Sequence, residues 1–376
     1  MTDAIPPALA YPPPSEAPID AATAFSLADF EELARARLHP AAWSYYAGGS
    51  WDQHALRENL VAWDRYRLRP RVLVDVSRMD ASTSILGAPV ALPIGIAPAA
   101  LHGMAHPDAE CATARAATAA RVLQVVSTVS SSTLEAVAEA APGGRRWFQL
   151  YVQRDHARSR ELVQRAEAAG YEAVCLTVDL PVLGYRDDVL RHAFDPGEDA
   201  YGNIPRRNVW RSAAEVDELL DMRSIGLTWD SLAEIRSWSS LPLVLKGIMT
   251  AEDGRLGAEH GADGIWVSNH GGRQLDRVAA PIDVLEEVVG AVDGRAEVYL
   301  DGGVRRGPEA VIALALGAQA VFTARPFLYA LAAAGEAGVA RALAILQEEM
   351  LRALALTGAA SVGDLTRNHV TTAERR

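Results

Sequence analysis

His270 stands in the segment SNHGGRQLD, flanked by small residues and three positions before Arg273. Histidine suits proton abstraction near neutral pH, and a carboxylate beside it favours its charged form. Asp179 is the candidate carboxylate. Arg186 and Arg273 suit a carboxylate ligand, because two guanidiniums can hold it from different sides. Lys246 ends the apolar run LPLVLKG, where a buried ammonium is costly unless an anion faces it. Two further segments, Asp301-Gly302-Gly303-Val304-Arg305 and Ala324-Arg325-Pro326, resemble each other in chemistry. Glycines there let backbone N–H groups approach oxygens, and arginines bind the oxygens bidentately. That is the chemistry of a phosphate site. A Gly-Gly pair alone would be an ordinary turn; the two arginines make phosphate the better reading.

The elements that must position these residues are legible as eight runs of β-branched and aliphatic residues. They are ALPIGIAP (91–98), VLQVVST (122–128), RWFQLYV (146–152), AVCLTVD (173–179), LPLVLKG (241–247), GIWVSNHG (264–271), AEVYLDGG (296–303) and AVFTARP (320–326). Their apolar stretches are continuous rather than alternating, the mark of strands buried on both faces of a parallel sheet. Stretches of helical character separate them. Ser132-x-x-Glu135 and Thr250-x-x-Asp253 read as capping boxes, and Gly170 and Gly261 stand where helices should end. The runs start 23 to 32 residues apart, except for one gap of 68 between the fourth and fifth. Eight such units close a barrel of about 250 residues. An open doubly wound sheet is the alternative, and eight regular units in one series favour closure. The expected fold is therefore α/β, a (β/α)8 TIM barrel with an N-terminal helical extension and a long lid loop after strand four. AFSLADFEELARARL reads as an amphipathic helix of that extension, which caps the barrel's bottom or reaches round to its mouth. The gap, roughly 186–235, is charged and punctuated by Gly and Pro; a loop of that length is usually functional, often a lid.

In such a barrel the active site lies at the C-terminal strand ends, and the loops after strands seven and eight hold phosphate. Taken in order, those ends carry Pro98-Ala99-Ala100, Ser127, Gln149 with Tyr151, Thr177 with Asp179, Lys246, Ser268 with His270 and Arg273, the 301–305 loop, and Arg325. Polar residues end strands in any fold. A lysine, a histidine and several arginines in otherwise apolar surroundings point to an enzyme. Spacing alone indicates a barrel enzyme acting on or with a phosphorylated molecule, and leaves a carboxylate substrate open.

Composition narrows the field. The chain has 376 residues, with 49% hydrophobic and 22% charged side chains, which excludes wholesale disorder. Its formal net charge of −12 argues against nucleic acid as a partner. Two cysteines, Cys111 and Cys175, make no disulfide framework, and nothing near them has metal-ligand spacing. A reducing, cytoplasmic setting is expected. The most apolar run, Ala310 to Phe322, is too short for a bilayer and is interrupted by Gly317 and Gln319. The opening MTDAIPPALAYPPPSEAP lacks a basic start and is broken by prolines, unlike a signal peptide. Residues 1–24 are read as a Pro/Ala-rich arm, mobile or draped over a neighbour, and 25–370 as one domain.

The segment SNHGGRQLD closely resembles the signature of the FMN-dependent 2-hydroxy-acid oxidases and dehydrogenases, the family of glycolate oxidase, lactate oxidase and mandelate dehydrogenase. The likeness extends through SYYAGG (44–49), FQLYV (148–152), LTVDLPVLGYR (176–186), LPLVLKGI (241–248) and DGGVRRG (301–307). It covers about residues 25 to 370. The family fold is a (β/α)8 barrel, in agreement with the strand count. The resemblance implies FMN as cofactor and assigns roles by position. His270 matches the active-site base, Asp179 the carboxylate that stabilises its protonated form, and Arg186 and Arg273 the carboxylate-binding pair. Tyr45 and Tyr151 match tyrosines that hydrogen-bond the substrate. Lys246 matches the lysine at the flavin N1–O2 edge, where a fixed cation stabilises anionic reduced flavin. Ser127, Gln149 and Thr177 match contacts to the flavin ring. Asp301, Gly303, Arg305 and Arg325 match the ribityl and phosphate site, with Gly302, Ala324, Ser268 and the Pro98-Ala99-Ala100 turn completing the cofactor-binding set.

Departures from the family pattern refine this. Where glycolate oxidase has a tryptophan, this chain has Val129, which enlarges the pocket unless the lid refills it. The expected substrate is thus an (S)-2-hydroxy acid larger than glycolate: L-lactate, a longer aliphatic acid or L-mandelate. The usual Gly-Arg of the last phosphate loop is Ala324-Arg325; if the position needs a positive φ, alanine costs about 1 kcal/mol and weakens FMN binding. The stretch from Arg191 to Trp229 shows no assignable pattern, no long apolar insert and no preceding haem domain, so a soluble protein is expected. Oxygen is the expected electron acceptor, with a quinone or carrier protein as the alternative. A phosphosugar or prenyl-diphosphate isomerase is disfavoured by His270, Arg186 and Arg273 together, and a non-catalytic flavin binder by survival of the whole set. The resemblance also suggests a homotetramer.

Overall fold

A computed structural model describes Pro14 and residues 19–192, 194–197, 200–204 and 226–373. Eight parallel strands form a closed barrel: β1 (Ile94–Ile96), β2 (Gln124–Ser127), β3 (Arg146–Leu150), β4 (Val174–Thr177), β5 (Leu243–Ile248), β6 (Gly264–Val267), β7 (Glu297–Leu300) and β8 (Ala320–Thr323). Neighbours follow chain order round the ring, and β8 closes on β1 with Val321 opposite Ile94. Seven strands fall inside the runs that foretold them, and β5 extends one residue beyond, to Ile248. Strands β1, β2, β3, β4, β6 and β8 are buried along their whole length, which explains why their sequences do not alternate.

The barrel is filled by aromatic rings rather than by branched aliphatics alone. Trp147, Trp266, Tyr299 and Phe322 pack together at its centre with Cys175, and Trp266 and Phe322 approach to 4.0 Å between ring centroids. Burial pushes the Cys175 thiol up to about 12, so it is an inert packing group.

The extension supplies α1 (Leu27–Arg37), α2 (Pro40–Ala47) and α3 (His54–Val61). Helix α1 opens on a capping box at Ser26 and Asp29 and buries Leu27, Phe30 and Ala34 against the last helix. Of the Pro/Ala-rich arm, Pro14 and residues 19–24 are described, and the latter are docked: the Ile19 N–H donates to the Ala333 carbonyl at 3.1 Å and Ala24 is fully buried. The extension then reaches the barrel mouth, where the chain after α2 meets the loop after β6. The last helix, Arg325–Thr357, bends at Ala334–Gly335, where Gly335 has φ +60 and an added Cβ would lie 2.7 Å from His106. It is long and apolar enough to cross a bilayer, but 72% of its apolar window is buried inside the protein; it is a core helix packed on Leu27–Arg37 and Ala109–Ala119.

One local expectation differs. Ser132 does not cap the helix Leu134–Ala140. Thr133 does, accepting from the Ala136 N–H, because the Ser132 N–H is taken by Glu110 at 2.9 Å. Thr250 caps its helix as expected, accepting from the Asp253 N–H at 3.2 Å. In the long connection after β4 a short helix covers Asp187–Arg191 and another covers Ser231–Arg236; residues 193, 198–199 and 205–225, which include part of the expected lid, lie outside the described residues.

Candidate active site

His270 lies on the loop after β6 with φ +58, a left-handed backbone that only a local requirement sustains in a residue with a side chain. Gly271 and Gly272 continue the same conformation. The turn aims the imidazole across the mouth. Its Nδ1 faces Asp179 Oδ1 at 2.9 Å and its Nε2 faces the Tyr151 hydroxyl at 3.3 Å. Asp179 follows β4 and fits there because Gly247, with φ +110 in an irregular turn of β5, leaves room: a Cβ on Gly247 would stand 2.6 Å from that of Asp179. Burial pushes His270 below its ordinary value, reinforced by Lys246 and Arg186 and only partly opposed by Asp179. Burial also works against the Asp179 carboxylate, yet His270 and Lys246 outweigh it and hold the group below the usual range. The resting pair is a neutral imidazole beside an ionised carboxylate. Its Nδ1–H donates to Asp179, leaving Nε2 as the basic nitrogen.

Arg186 and Arg273 line the same cavity. Arg273 is held from the extension, donating to the carbonyls of Tyr45 at 2.6 Å and Gly48 at 2.8 Å, with its guanidinium 5.1 Å from the Tyr45 ring centroid. Arg186 donates from Nε to the Arg273 carbonyl at 3.3 Å. Tyr45 itself stacks on Phe194 at 4.4 Å. The arrangement can bind an anion between two guanidiniums and remove a proton beside it.

Below these groups Lys246 is buried between Ser268, at 2.9 Å, and Asp301, at 3.2 Å. Burial works against its charged form, but the carboxylates of Asp301 and Asp179 overcompensate and keep it charged. Ser127, Gln149 and Thr177 form one chain across β2, β3 and β4: the Ser127 hydroxyl donates to Gln149 Oε1 and Gln149 Nε2 donates to Thr177 Oγ1, each at 3.0 Å. The turn Pro98-Ala99-Ala100 and Val129 complete that side of the cavity.

The far end is the loop pair after β7 and β8. Gly302 and Gly303 have φ +102 and +83, and a Cβ on Gly303 would lie 1.8 Å from the Asn59 carbonyl of α3. Arg305 and Arg325 line the cavity there. Arg325 donates to the carbonyls of Tyr46, Gly271 and Gly48 at 3.0–3.1 Å. Burial, with Arg273 and Arg305 nearby, pushes it down to about 9. Ala324 has φ −113, so its position does not require a left-handed backbone, and the penalty anticipated for alanine there does not arise.

Of the residues singled out from sequence, Asp179, Gln149 and Ser268 stand behind the cavity wall and contact residues that line it; the others line it directly. Sequence reasoning missed Gln274, whose buried amide donates to the carbonyls of Asp179 and Val182 at 2.9 and 2.8 Å and accepts from the Gly184 N–H. It also missed the cavity-lining Leu180, Leu183, Tyr201 and Ile204. Gln274, Leu180 and Leu183 lie inside quoted motifs and were available; Tyr201 and Ile204 sit in a connection without periodicity.

A closed (β/α)8 barrel whose mouth joins an acid–base pair and an arginine clamp to a glycine–arginine anion cradle defines a barrel enzyme built round a phosphorylated cofactor. The sequence profile of the FMN-dependent dehydrogenases matches residues 34–372. Glycolate oxidase 3 of Oryza sativa subsp. indica is 46% identical over 356 residues, covering 92% of this chain and 96% of that protein. The L-lactate oxidase of Nostoc sp. is 45% identical over 350 residues, covering 90% and 96%. A crystal structure of mandelate oxidase with (S)-4-hydroxymandelic acid superposes with a TM-score of 0.88 at 42% identity, covering 93% of this chain and 99% of that one. The chain belongs to the FMN-dependent dehydrogenase family and is an FMN-dependent oxidoreductase.

The cradle fits FMN on its own evidence. Among the described residues Asp301 Oδ1 is buried without a hydrogen-bond partner, as a carboxylate that takes a ribityl hydroxyl would be, and Gly303 is a glycine because the Asn59 carbonyl packs where a Cβ would stand. Arg305 and Arg325 could hold the phosphate, and Ser127, Thr177 and Lys246 the ring.

Proposed function

We propose that the protein oxidises an (S)-2-hydroxy acid larger than glycolate, such as L-lactate or L-mandelate, to the 2-oxo acid, with oxygen as the final electron acceptor. The observation that carries this reading is His270 Nε2 facing the Tyr151 hydroxyl in one cavity with Arg186 and Arg273. Such a set fits a molecule with a carboxylate and a hydroxyl on adjacent carbons. Arg186 and Arg273 take the carboxylate. Tyr45 and Tyr151 hydrogen-bond the substrate's oxygens and orient it. His270 Nε2 takes the hydroxyl proton, and Asp179 stabilises the imidazolium that results. FMN, when bound, would accept the Cα hydrogen with the two electrons of its bond. Lys246, fixed by Asp301 and Ser268, supplies a buried positive charge where negative charge develops. Val129, Leu180 and Leu183 add apolar side chains to the cavity wall, which supports a substrate with a carbon side chain over glycolate. The relatives named for glycolate, L-lactate and mandelate support the class.

The test is anaerobic mixing of the FMN-loaded protein with glycolate, L-lactate and L-mandelate in separate cuvettes. Bleaching of the flavin band by lactate or mandelate, faster than by glycolate, is the expected result; admitting air should then restore the colour. Bleaching by none sinks the assignment. Bleaching that air does not reverse moves the acceptor to a quinone or a carrier protein.

A further inference from the structure

The segment 200–204 of the connection after β4 is stitched to the loop that carries Val129, and one side chain does most of the stitching. Asn203 is 9% exposed. Its Nδ2 donates to the Ser130 hydroxyl at 2.8 Å and to the Ser132 carbonyl at 3.2 Å. Its Oδ1 accepts from the Leu134 N–H at 3.0 Å and from Arg165 at 3.3 Å. The Gly202 N–H adds a bond to the Ser130 carbonyl at 2.9 Å. This approach is close enough that a Cβ on Gly202 would lie 2.5 Å from Ser132.

The loop on the other side of the clasp is itself rigid. Glu110, 1% exposed, accepts from the N–H groups of Ser131 at 3.0 Å, Ser132 at 2.9 Å and His102 at 3.1 Å. The Val129 carbonyl accepts from the Leu101 N–H at 3.1 Å. Tyr201 and Ile204 flank Gly202-Asn203 and line the same cavity as Val129. A segment tied by a buried amide to a fixed loop holds its neighbours in place, since leaving that amide unpaired would be costly.

We propose that Asn203 is a positioning residue which holds Tyr201 and Ile204 as the second wall of the substrate side-chain pocket, facing the space that Val129 leaves, so that this chain grips the side chain of a bulky 2-hydroxy acid. The inference rests on the hydroxy-acid reading above and deepens it. Val129 by itself only removes volume; apolar side chains held on the same cavity convert that space into a binding surface. Losing the wall costs a substrate in proportion to the apolar surface it presents, so glycolate, which presents almost none, is the internal control.

The test titrates glyoxylate, pyruvate and benzoylformate into the FMN-loaded protein and reads the flavin difference spectrum, which needs no turnover. In Asn203→Ala the preference for benzoylformate over glyoxylate should fall about tenfold, with glyoxylate affinity and the pH profile of flavin reduction little changed. Ile204→Ala leaves the clasp intact and should move the preference the same way. Asn203→Asp keeps the acceptor toward Leu134 and Arg165 and should retain more of it than alanine; it carries the test with Ile204→Ala if Asn203→Ala does not fold. A preference that stays constant or rises, or a parallel loss for all three acids, overturns the inference. A wild-type protein that binds none of the three overturns it together with the proposed function. Binding with a preference indifferent to Asn203 and Ile204 overturns the clasp alone.

Discussion

At the scale of single residues, the site works through charges kept in unequal company. His270 is surrounded by Lys246 and Arg186 and meets one carboxylate, Asp179, so burial and cations together keep Nε2 unprotonated. The sign of the pH dependence follows. With His270 as the proposed base the neutral imidazole is the active form, so flavin reduction by substrate should rise with pH through the His270 pKa, and that rise should be centred below the ordinary histidine value of about 6.5. Asp179 is the group pulling the pKa upward. Asp179→Asn should therefore move the rise to still lower pH and slow reduction, because a less basic nitrogen is a weaker proton acceptor. A rise displaced to higher pH in that variant would contradict the assignment of the pair. His270→Ala should lose about 10²–10⁴-fold in reduction rate while keeping its FMN, which the flavin spectrum of the purified variant reports directly. Val129→Trp makes the complementary change on the substrate side. Filling the space should shift preference toward glycolate by about tenfold or more, measured as the ratio of reduction rates for glycolate and L-mandelate.

At the scale of elements, the barrel supplies fixed strand ends and the loops supply geometry, and the two were not equally legible. The eight strands could be read because burial on both faces makes each a continuous apolar run, and closure fixes their number. His270, Lys246 and the 301–305 loop could be read because such residues at such places have few other uses. Asn203 could not, and Gln274, although inside a quoted motif, carried no sign of what it ties together. Their partners lie 38 to 95 positions away, and a long-range amide leaves no periodic trace. Ser132 misled for a related reason: a buried carboxylate from another helix, Glu110, claims the donor that local pattern assigned to a cap. Gln274 has a consequence of its own. It ties Asp179, Val182 and Gly184, and so the whole stretch leading to Arg186, to the loop of His270 and Arg273. Gln274→Ala should displace base partner and carboxylate clamp together, raising KM and lowering kcat at once with FMN retained. A change confined to KM would show that the loop is held by other contacts.

At the scale of the whole molecule, a chain with a net charge of −12 concentrates cations in one cavity. Lys246, Arg186, Arg273, Arg305 and Arg325 all line it, against Asp301 on the wall and Asp179 behind. Folding therefore brings like charges together at the cofactor end, where Arg325 is pushed down to about 9 by burial, Arg273 and Arg305. Since that value stays above neutrality, the group remains charged at pH 7, and an anion entering the cavity offsets the repulsion among its arginines. A phosphorylated ligand should thus stabilise the fold as well as complete the site. Stripping FMN should lower the melting temperature, and adding it back at a hundred times its Kd should restore about 2.7 kcal/mol. Inorganic phosphate alone should recover part of that increment, because the charge it relieves is local to the glycine–arginine loops. Arg325→Ala should remove the phosphate increment while leaving a folded barrel, since the strands and their aromatic filling do not depend on that side chain. Differential scanning calorimetry of the stripped protein with and without phosphate decides the matter. An equal phosphate increment in wild type and variant would mean that the anion binds elsewhere and that Arg325 serves only its backbone carbonyls.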